Sequence, residues 1–243
     1  GKGTRLRDAR SQLPKQFWPL GKRVIIEHVI CALARTDAVD EIVICCAPGF
    51  RKIITEEIVA RNELTKKITL VNGGGRRADS VRNGLAAVSS EATHVLVHDA
   101  VRPFLSRGLI ERLLEEVARH DAVIAARPVV PTLKKVDGQK IVTTVDRGSL
   151  WEAETPQVCR KDLLENAYQR LGEEASFYTD EASLLEATGV AVYVVDAGQI
   201  NMKITTRADY ETARTLCGET NMIKVGYGYD IHRLIEGRPL VIG

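Results

Sequence analysis

An α/β fold with a mainly parallel sheet and helices on both faces is what the sequence predicts, and three features carry that expectation. Short apolar, β-branched runs alternate with longer amphipathic stretches. The runs are almost unbroken in apolar character, as strands buried on both faces are, rather than alternating residue by residue. At 243 residues the chain can hold one large α/β domain or two smaller ones with a buried core.

In chain order the predicted strands are "EIVICC" (41–46), "KITLV" (67–71), "HVLVH" (94–98), "AVIAA" (122–126) and "VYVVD" (192–196). Helical patterns lie between them over 23–35, 51–61, 78–88, 109–119 and 161–171. "TLKKVDGQKIVTTVDR" (132–147) breaks the alternation. Two strand-like runs flank Asp137-Gly138, a pair that favours a type I′ hairpin turn. Many positions there are polar or basic, so the segment, about 131–151, is expected to leave the sheet as an arm. A last helix is expected to start at Thr206, with Asp209 completing a capping box, and to stop near Gly218. "GETN" (218–221) then reads as a linker, and a new strand opens in "MIKVGYGYDIH".

Composition narrows the function. The 34 basic and 32 acidic residues nearly balance, so no overall field points to nucleic acid or a membrane surface. The longest apolar runs are far too short to span a bilayer. Five cysteines, including adjacent Cys45 and Cys46, have no CxxC spacing and read as reduced thiols of a cytoplasmic protein.

Several short stretches could carry chemistry. "GKGTRL" places Gly1 and Gly3 before Arg5, which suits either a backbone cradle for phosphate or a plain turn. Lys15 follows in "PKQFWPL" as a second cation. "NGGGRRADSVRNGL" (72–85) sets three glycines between a strand and a helix. There the backbone at Gly74 and Gly75, with Ser80, could read a base or ribose, or simply form a connecting loop. In "VLVHDAVRP" Asp99 falls at the carboxyl end of a strand, where ligands gather in such sheets. It is placed either to hold magnesium beside a nucleoside triphosphate or to cap a turn. In the tail, Asp230 and His232 would leave one face of a strand toward a shared metal. Zinc usually takes three or four protein ligands, and no further candidate follows them.

Taken in series, "GKGTR", "PKQF", Glu27-His28, "GGGRRADSV", "HDAVRP", "PTLKKV", "TVDRGSLWEAETPQ", "TDEAS" and "NMKIT" resemble 2-C-methyl-D-erythritol 4-phosphate cytidylyltransferases over nearly all of residues 1–217. The resemblance implies a Rossmann-like nucleotidyltransferase fold and a cytidylyl transfer from CTP, with magnesium as cofactor. It implies that Gly1, Gly3 and Arg5 hold the triphosphate, and that Gly74, Gly75, Ser80, Asp99 and Ala100 meet the nucleotide. By the same resemblance Lys15 and Lys203 stabilise charge at the α-phosphate, and Asp99 positions magnesium. Arg102, Thr132, Arg147, Thr155 and Thr179 match positions around methylerythritol phosphate, and the arm implies a homodimer in which each hairpin enters the neighbour's site.

Three departures stand out. The family's strand ending in "AAG" ahead of the glycine loop is missing, which implies residues before Gly1. "LRDARSQL" is longer than usual, and Gln199-Ile200 stand where an acidic residue often precedes "N-x-K". The tail "GYGYDIHRL" resembles the opening of 2-C-methyl-D-erythritol 2,4-cyclodiphosphate synthase, a zinc enzyme. Asp230 and His232 match its Asp-x-His pair, and its later histidine would lie beyond Gly243. The resemblance thus divides the chain into a transferase (1–217), a linker (218–221) and the first strand of a fused synthase (222–243). Transfer to another polyol phosphate such as ribitol 5-phosphate, and non-catalytic nucleotide binding, are the competing readings.

Overall fold

The computed structural model describes residues 13–198 and 200–219. The expectations for Gly1, Gly3, Arg5, Gln199, Asp230, His232 and the strand after Met222 lie outside those residues.

The chain enters through a two-residue ribbon, β1 (Pro19–Leu20) with β2 (Arg23–Val24), and runs into α1 (Ile25–Ala34). Next come β3 (Glu41–Cys46), a π-helix over Ile53–Ala60, β4 (Lys67–Asn72), α2 (Arg77–Leu85) and β5 (His94–Val97). Then follow α3 (Arg107–Val117), β6 (Ala122–Pro128), the hairpin β7 (Leu133–Asp137) and β8 (Lys140–Val145), and β9 (Trp151–Arg160). The last elements are α4 (Lys161–Leu171), α5 (Glu181–Glu186), β10 (Tyr193–Asp196) and α6 (Arg207–Leu216).

Four strands form one sheet in the order β10-β6-β9-β5, and β3 and β4 pair in parallel beside it. Among the described residues no strand joins the two groups. β10 runs parallel to β6, but β9 is antiparallel to both β5 and β6. β10, β6 and β5 therefore point one way and β9 alone runs against them, so the sheet is mainly parallel, as expected, with one antiparallel strand that the sequence does not announce. "WEAETPQVCR" hides this strand: Trp151, Glu152 and Ala153 are exposed, and the buried run from Glu154 to Cys159 is half polar. Apolar periodicity cannot find a strand whose buried positions include Glu154, Thr155 and Gln157.

Helices cover both faces of this sheet, as expected. Leu109, Ile110, Leu113 and Val117 of α3 recur at helical spacing and pack on Val123, Ala125, Val158 and Val195. On the other face Leu164, Ala167 and Tyr168 of α4 and Leu184 and Leu185 of α5 cover Val95, Ala122 and Cys159. Neighbouring residues Val158 and Cys159 point to opposite faces, as the strand period demands. Ser106 caps α3 by accepting from the Leu109 N–H at 3.2 Å. The predicted helix at 51–61 is wound as a π-helix; both windings bury Ile54 and Ile58, so spacing alone does not separate them.

The hairpin does leave the sheet. β7 and β8 pair only with each other, and every residue of β7 is exposed. Asp137 pairs with Lys140, so the loop residues are Gly138 and Gln139. Only Gly138 has positive φ, at 56°. That is a type II′ pattern, with glycine first, rather than the type I′ turn expected of Asp-Gly. The ladder ends at Val145, and Trp151 already belongs to β9, so the arm is shorter than predicted.

α6 is stopped and started as the sequence predicts. The Asp209 N–H donates to Thr206 Oγ1 at 3.2 Å, and the Thr206 N–H donates to Asp209 Oδ2 at 2.7 Å. At the other end Gly218, at φ 77°, closes a Schellman motif with Glu219: their N–H groups reach Thr215 and Arg214 carbonyls at 3.0 and 2.9 Å. Gly218 and Glu219 thus finish the helix rather than open a linker, and Glu219 is held by Arg214 at 2.7 Å.

The cap makes a testable contribution. Burial pushes the Asp209 carboxyl up, but hydrogen bonds from Thr205 and Thr206 outweigh it and hold it at about 2. A depressed acid stabilises the fold above its ordinary value, and that contribution is lost as pH falls through about 2. Asp209→Asn should cost about 1 kcal/mol near neutrality. Its stability deficit against the unaltered chain should shrink below pH about 4, read by denaturant melts at each pH. A deficit independent of pH would show that the charge is irrelevant.

Candidate active site

β5 ends at Val97 and delivers His98 and Asp99 to the carboxyl edge of the sheet. The Asp99 N–H donates to Thr155 Oγ1 at 3.1 Å, which ties the turn to β9. His98 lies beneath, with Nδ1 at 3.0 Å from the Thr155 hydroxyl and Nε2 at 3.2 Å from the Arg102 carbonyl. A carbonyl only accepts, so Nε2 carries the proton and Nδ1 accepts from Thr155. Burial pushes the imidazole down to about 4, so this histidine is neutral structural support.

Three cations surround Asp99. Lys203 Nζ lies 2.8 Å from Oδ2, Arg102 Nε 3.6 Å from Oδ2, and Arg77 Nε 4.0 Å from Oδ1. Burial works against the charged form, but Lys203, then Arg77 and Arg102, hold the carboxyl below its ordinary value. Lys15 donates from Nζ to the Ile204 carbonyl at 2.8 Å, so it meets the chain one residue past Lys203. Asp99, Arg102, Thr155, Lys203 and Lys15 are thus brought to one neighbourhood from remote parts of the sequence.

Arg102 is 7% exposed, buried among polar partners rather than open to solvent. It donates from Nη1 to the Asn201 carbonyl at 2.7 Å and lies 3.7 Å from Glu154. Asn201 in turn donates to Glu154 Oε2 at 2.8 Å and to the Thr155 carbonyl at 2.7 Å. Burial raises the Glu154 carboxyl despite the opposing pull of Arg102 and Asn201. Among the described residues Arg102 Nε and Asn201 Oδ1 are buried without a hydrogen-bond partner. This buried set fixes the backbone that carries Lys203.

The glycine loop sits between β4 and α2. Ser80 Oγ accepts from the Gly74 N–H at 2.9 Å, folding the loop back on the helix. A Cβ on Gly74 would meet Asp79 Cβ at 2.2 Å and its backbone carbon at 2.8 Å, whereas one on Gly75 would lie 3.8 Å from Asp79 Oδ2. Gly74→Ala is therefore expected to lower the thermal midpoint clearly and Gly75→Ala hardly at all. Equal midpoints would mean that the loop yields freely.

The remaining predicted residues are spread more widely. Ala100 lies in the turn after Asp99, closed by the Arg102 N–H on the Asp99 carbonyl at 3.0 Å. Thr179 precedes Asp180, the cap of α5, whose Oδ1 accepts from the Ser183 N–H at 3.0 Å. Thr132 and Arg147 stand at the two feet of the hairpin, both exposed, with Arg147 donating to the Val130 carbonyl. Among the described residues no hydrogen bond or ion pair joins either to Asp99 or Lys203.

Sequence reasoning did not single out Arg77, Glu181, Glu154 or Asn201. Arg77 and Glu181 form a fork at 2.6 and 2.7 Å, and the Glu181 side chain is 2% exposed. Both lie inside "RRADS" and "TDEAS", but nothing local pairs charges 104 residues apart.

A hard divalent cation fits this donor set in one way. Asp99 supplies a single carboxylate, and among the described residues no cluster of three or more His, Cys, Asp or Glu side chains could hold a metal. Magnesium is commonly held by one or two carboxylates and completed by phosphate oxygens and water, which suits arrival with a nucleotide.

Comparison with known proteins gives the lineage. The family described as 2-C-methyl-D-erythritol 4-phosphate cytidylyltransferase (IspD) matches residues 1–219. A bifunctional enzyme IspD/IspF of Anaeromyxobacter dehalogenans is 40% identical over 238 residues, covering 96% of this chain. The chain spans only 60% of that relative's length. A 2-C-methyl-D-erythritol 4-phosphate cytidylyltransferase of Syntrophus aciditrophicus is 35% identical, with 86% of this chain and 88% of that protein aligned. The crystal structure of the enzyme of that name from Thermus thermophilus superposes with a TM-score of 0.72 at 30% identity, over 84% of this chain and 94% of that chain. With this α/β fold and these matches, the chain belongs to the 2-C-methyl-D-erythritol 4-phosphate cytidylyltransferase family.

Proposed function

We propose that the chain transfers a cytidylyl group from CTP to 2-C-methyl-D-erythritol 4-phosphate, releasing pyrophosphate, as a step of isoprenoid biosynthesis. The observation that carries this reading is the convergence of Lys203, Arg102 and, from the Gly74–Ser80 stretch, Arg77 on Asp99, with Lys15 held on the Ile204 carbonyl one residue past Lys203. A phosphate oxygen of the acceptor attacks the α-phosphorus, and pyrophosphate leaves in line. Two polyanions repel, so the chain's task is to position them and hold cations where charge concentrates.

In this reading Lys15 and Lys203 act at the α-phosphate, and Gly1, Gly3 and Arg5 hold the triphosphate. Gly74, Gly75, Ser80 and Ala100 meet the cytidine. Asp99 would hold a divalent cation, magnesium, whose charge screens the triphosphate when bound. Thr132, Arg147 and Thr179 face the acceptor, while buried Arg102 and Thr155 shape the floor beneath it.

The site is shared between two copies of the chain. The exposed arm carries Leu133, Val136, Ile141 and Val142 to its surface, and a lone two-stranded ribbon is marginal in water. Exchange of arms across a two-fold axis covers these residues and brings Thr132 and Arg147 to the neighbour's site. Residues 1–219, through the cap of α6, form the transferase. The segment 222–243 opens a cyclodiphosphate synthase in which Asp230 and His232 bind zinc. Five unpaired cysteines support a cytoplasmic location, and no described helix is long and apolar enough to cross a membrane.

Pyrophosphate release from CTP, measured with methylerythritol phosphate and with ribitol 5-phosphate, tests the reading. Release that depends on the first acceptor supports it, preference for the second moves it to the polyol alternative, and release with neither leaves a nucleotide-binding regulator.

A further inference from the structure

We propose that Glu181 keeps the Asp99 carboxylate open to its cation by holding the Arg77 guanidinium away from it, an inference that rests on the cation-binding role of Asp99 given above. Arg77 is the first residue of α2 and Glu181 the first of α5, so two helices begin face to face beside Asp99. The fork uses both terminal nitrogens of Arg77: Nη1 lies 2.6 Å from Oε1 and Nη2 2.7 Å from Oε2. What remains for Asp99 is Nε, 4.0 Å from Oδ1 and beyond hydrogen-bonding reach. Oδ2 is already engaged by Lys203 at 2.8 Å, with Arg102 at 3.6 Å. Among the described residues Oδ1 accepts no hydrogen bond, and it is the oxygen that a hard cation would take.

Losing Glu181 would change that balance. A partly buried guanidinium deprived of its carboxylate is costly, and the nearest replacement is Oδ1 of Asp99. A charge-assisted bond there would mask the one open oxygen. Arg77 is thus a positive charge that helps to hold Asp99 ionised from a distance, and an inhibitor of cation binding at contact. Glu181 sets which of the two it is. The helix that carries Glu181 has its own anchors: Gln157 bonds Asp180 at 2.9 Å and the Ala182 N–H at 3.0 Å, and Leu184 and Leu185 lie in the core. A change at position 181 therefore leaves α5 in place, and Glu181 acts as a positioning residue.

The test titrates Mn2+ into the full chain with CTP and no acceptor, reading free ion by electron paramagnetic resonance, so that no turnover is needed. Glu181→Gln should weaken CTP-dependent Mn2+ binding roughly tenfold or more, the usual effect of losing a partner that orients a ligand. Glu181→Asp, which keeps the charge but shortens the reach, should fall between. In Arg77→Gln/Glu181→Gln the masking group is gone, and binding should return close to that of the unaltered chain. Thermal melts confirm that each variant is folded; should Glu181→Gln not fold, Glu181→Asp and the double variant carry the comparison. Unchanged binding in the folded single variants overturns the proposal, as does a double variant no better than Glu181→Gln, which would make Arg77 itself a nucleotide ligand. If the unaltered chain binds no Mn2+ with CTP, the role of Asp99 fails first and the inference with it.

Discussion

Lys203→Met should lower kcat by about two orders of magnitude while changing the KM for CTP much less. The ammonium is poised 2.8 Å from Asp99, on a backbone fixed by Asn201, Arg102 and Glu154. A cation held in this way costs little reorganisation when charge grows on the α-phosphate. Removing one such group typically raises a barrier by about 3 kcal/mol, which is the two orders of magnitude expected. Lys15→Ala should behave alike, because Lys15 reaches the same segment through the Ile204 carbonyl. Asp99→Asn should differ in kind, with its defect concentrated at low magnesium. Initial rates over a grid of CTP and magnesium concentrations separate the three, and an unchanged kcat for either lysine variant would remove it from the reaction.

The second large effect concerns the arm. Lys15→Ala and Arg147→Ala proteins should each be almost inactive alone yet recover activity when unfolded together and refolded as a mixture. With arms exchanged, a mixed dimer has one site carrying both lesions and one carrying neither. Random pairing then leaves about a quarter of all sites intact. Recovery near that fraction is the expected result. No recovery, with mixed dimers confirmed by native mass spectrometry, would mean that each chain completes its own site.

The elements legible in the sequence are those whose local chemistry is self-sufficient. α6 announces both ends, through Thr206 with Asp209 and through Gly218, and both caps form. The apolar strands and the α3 stripe follow because burial on a face imposes its period directly. The arm shows in the sequence as a break in that pattern. Its turn lies one residue further on than the sequence suggests, because Asp137-Gly138 reads as a turn pair while Asp137 pairs across the ladder with Lys140.

What stays hidden depends on contacts between distant segments. β9 buries Glu154, Thr155 and Gln157, each satisfied by partners such as Asn201, Asp99 and Asp180 that no periodicity relates to it. The same holds for Arg77 and Glu181, and for the burial of Arg102. The glycine loop shows the intermediate case. Its position between strand and helix is legible, but that Gly74 and not Gly75 is sterically required follows only from where Asp79 sits.

The central claim is that a phosphate oxygen of the acceptor takes up the cytidylyl group, and one isotope measurement tests it. The chain is incubated with CTP, magnesium and 2-C-methyl-D-erythritol 4-phosphate whose phosphate oxygens carry 18O, and the products are read by 31P NMR. Attack by the acceptor's phosphate oxygen predicts a new diphosphate with 18O in its bridging position and an equal amount of unlabelled pyrophosphate. Failure to form the diphosphate, or a bridging oxygen that comes from CTP, would contradict the account.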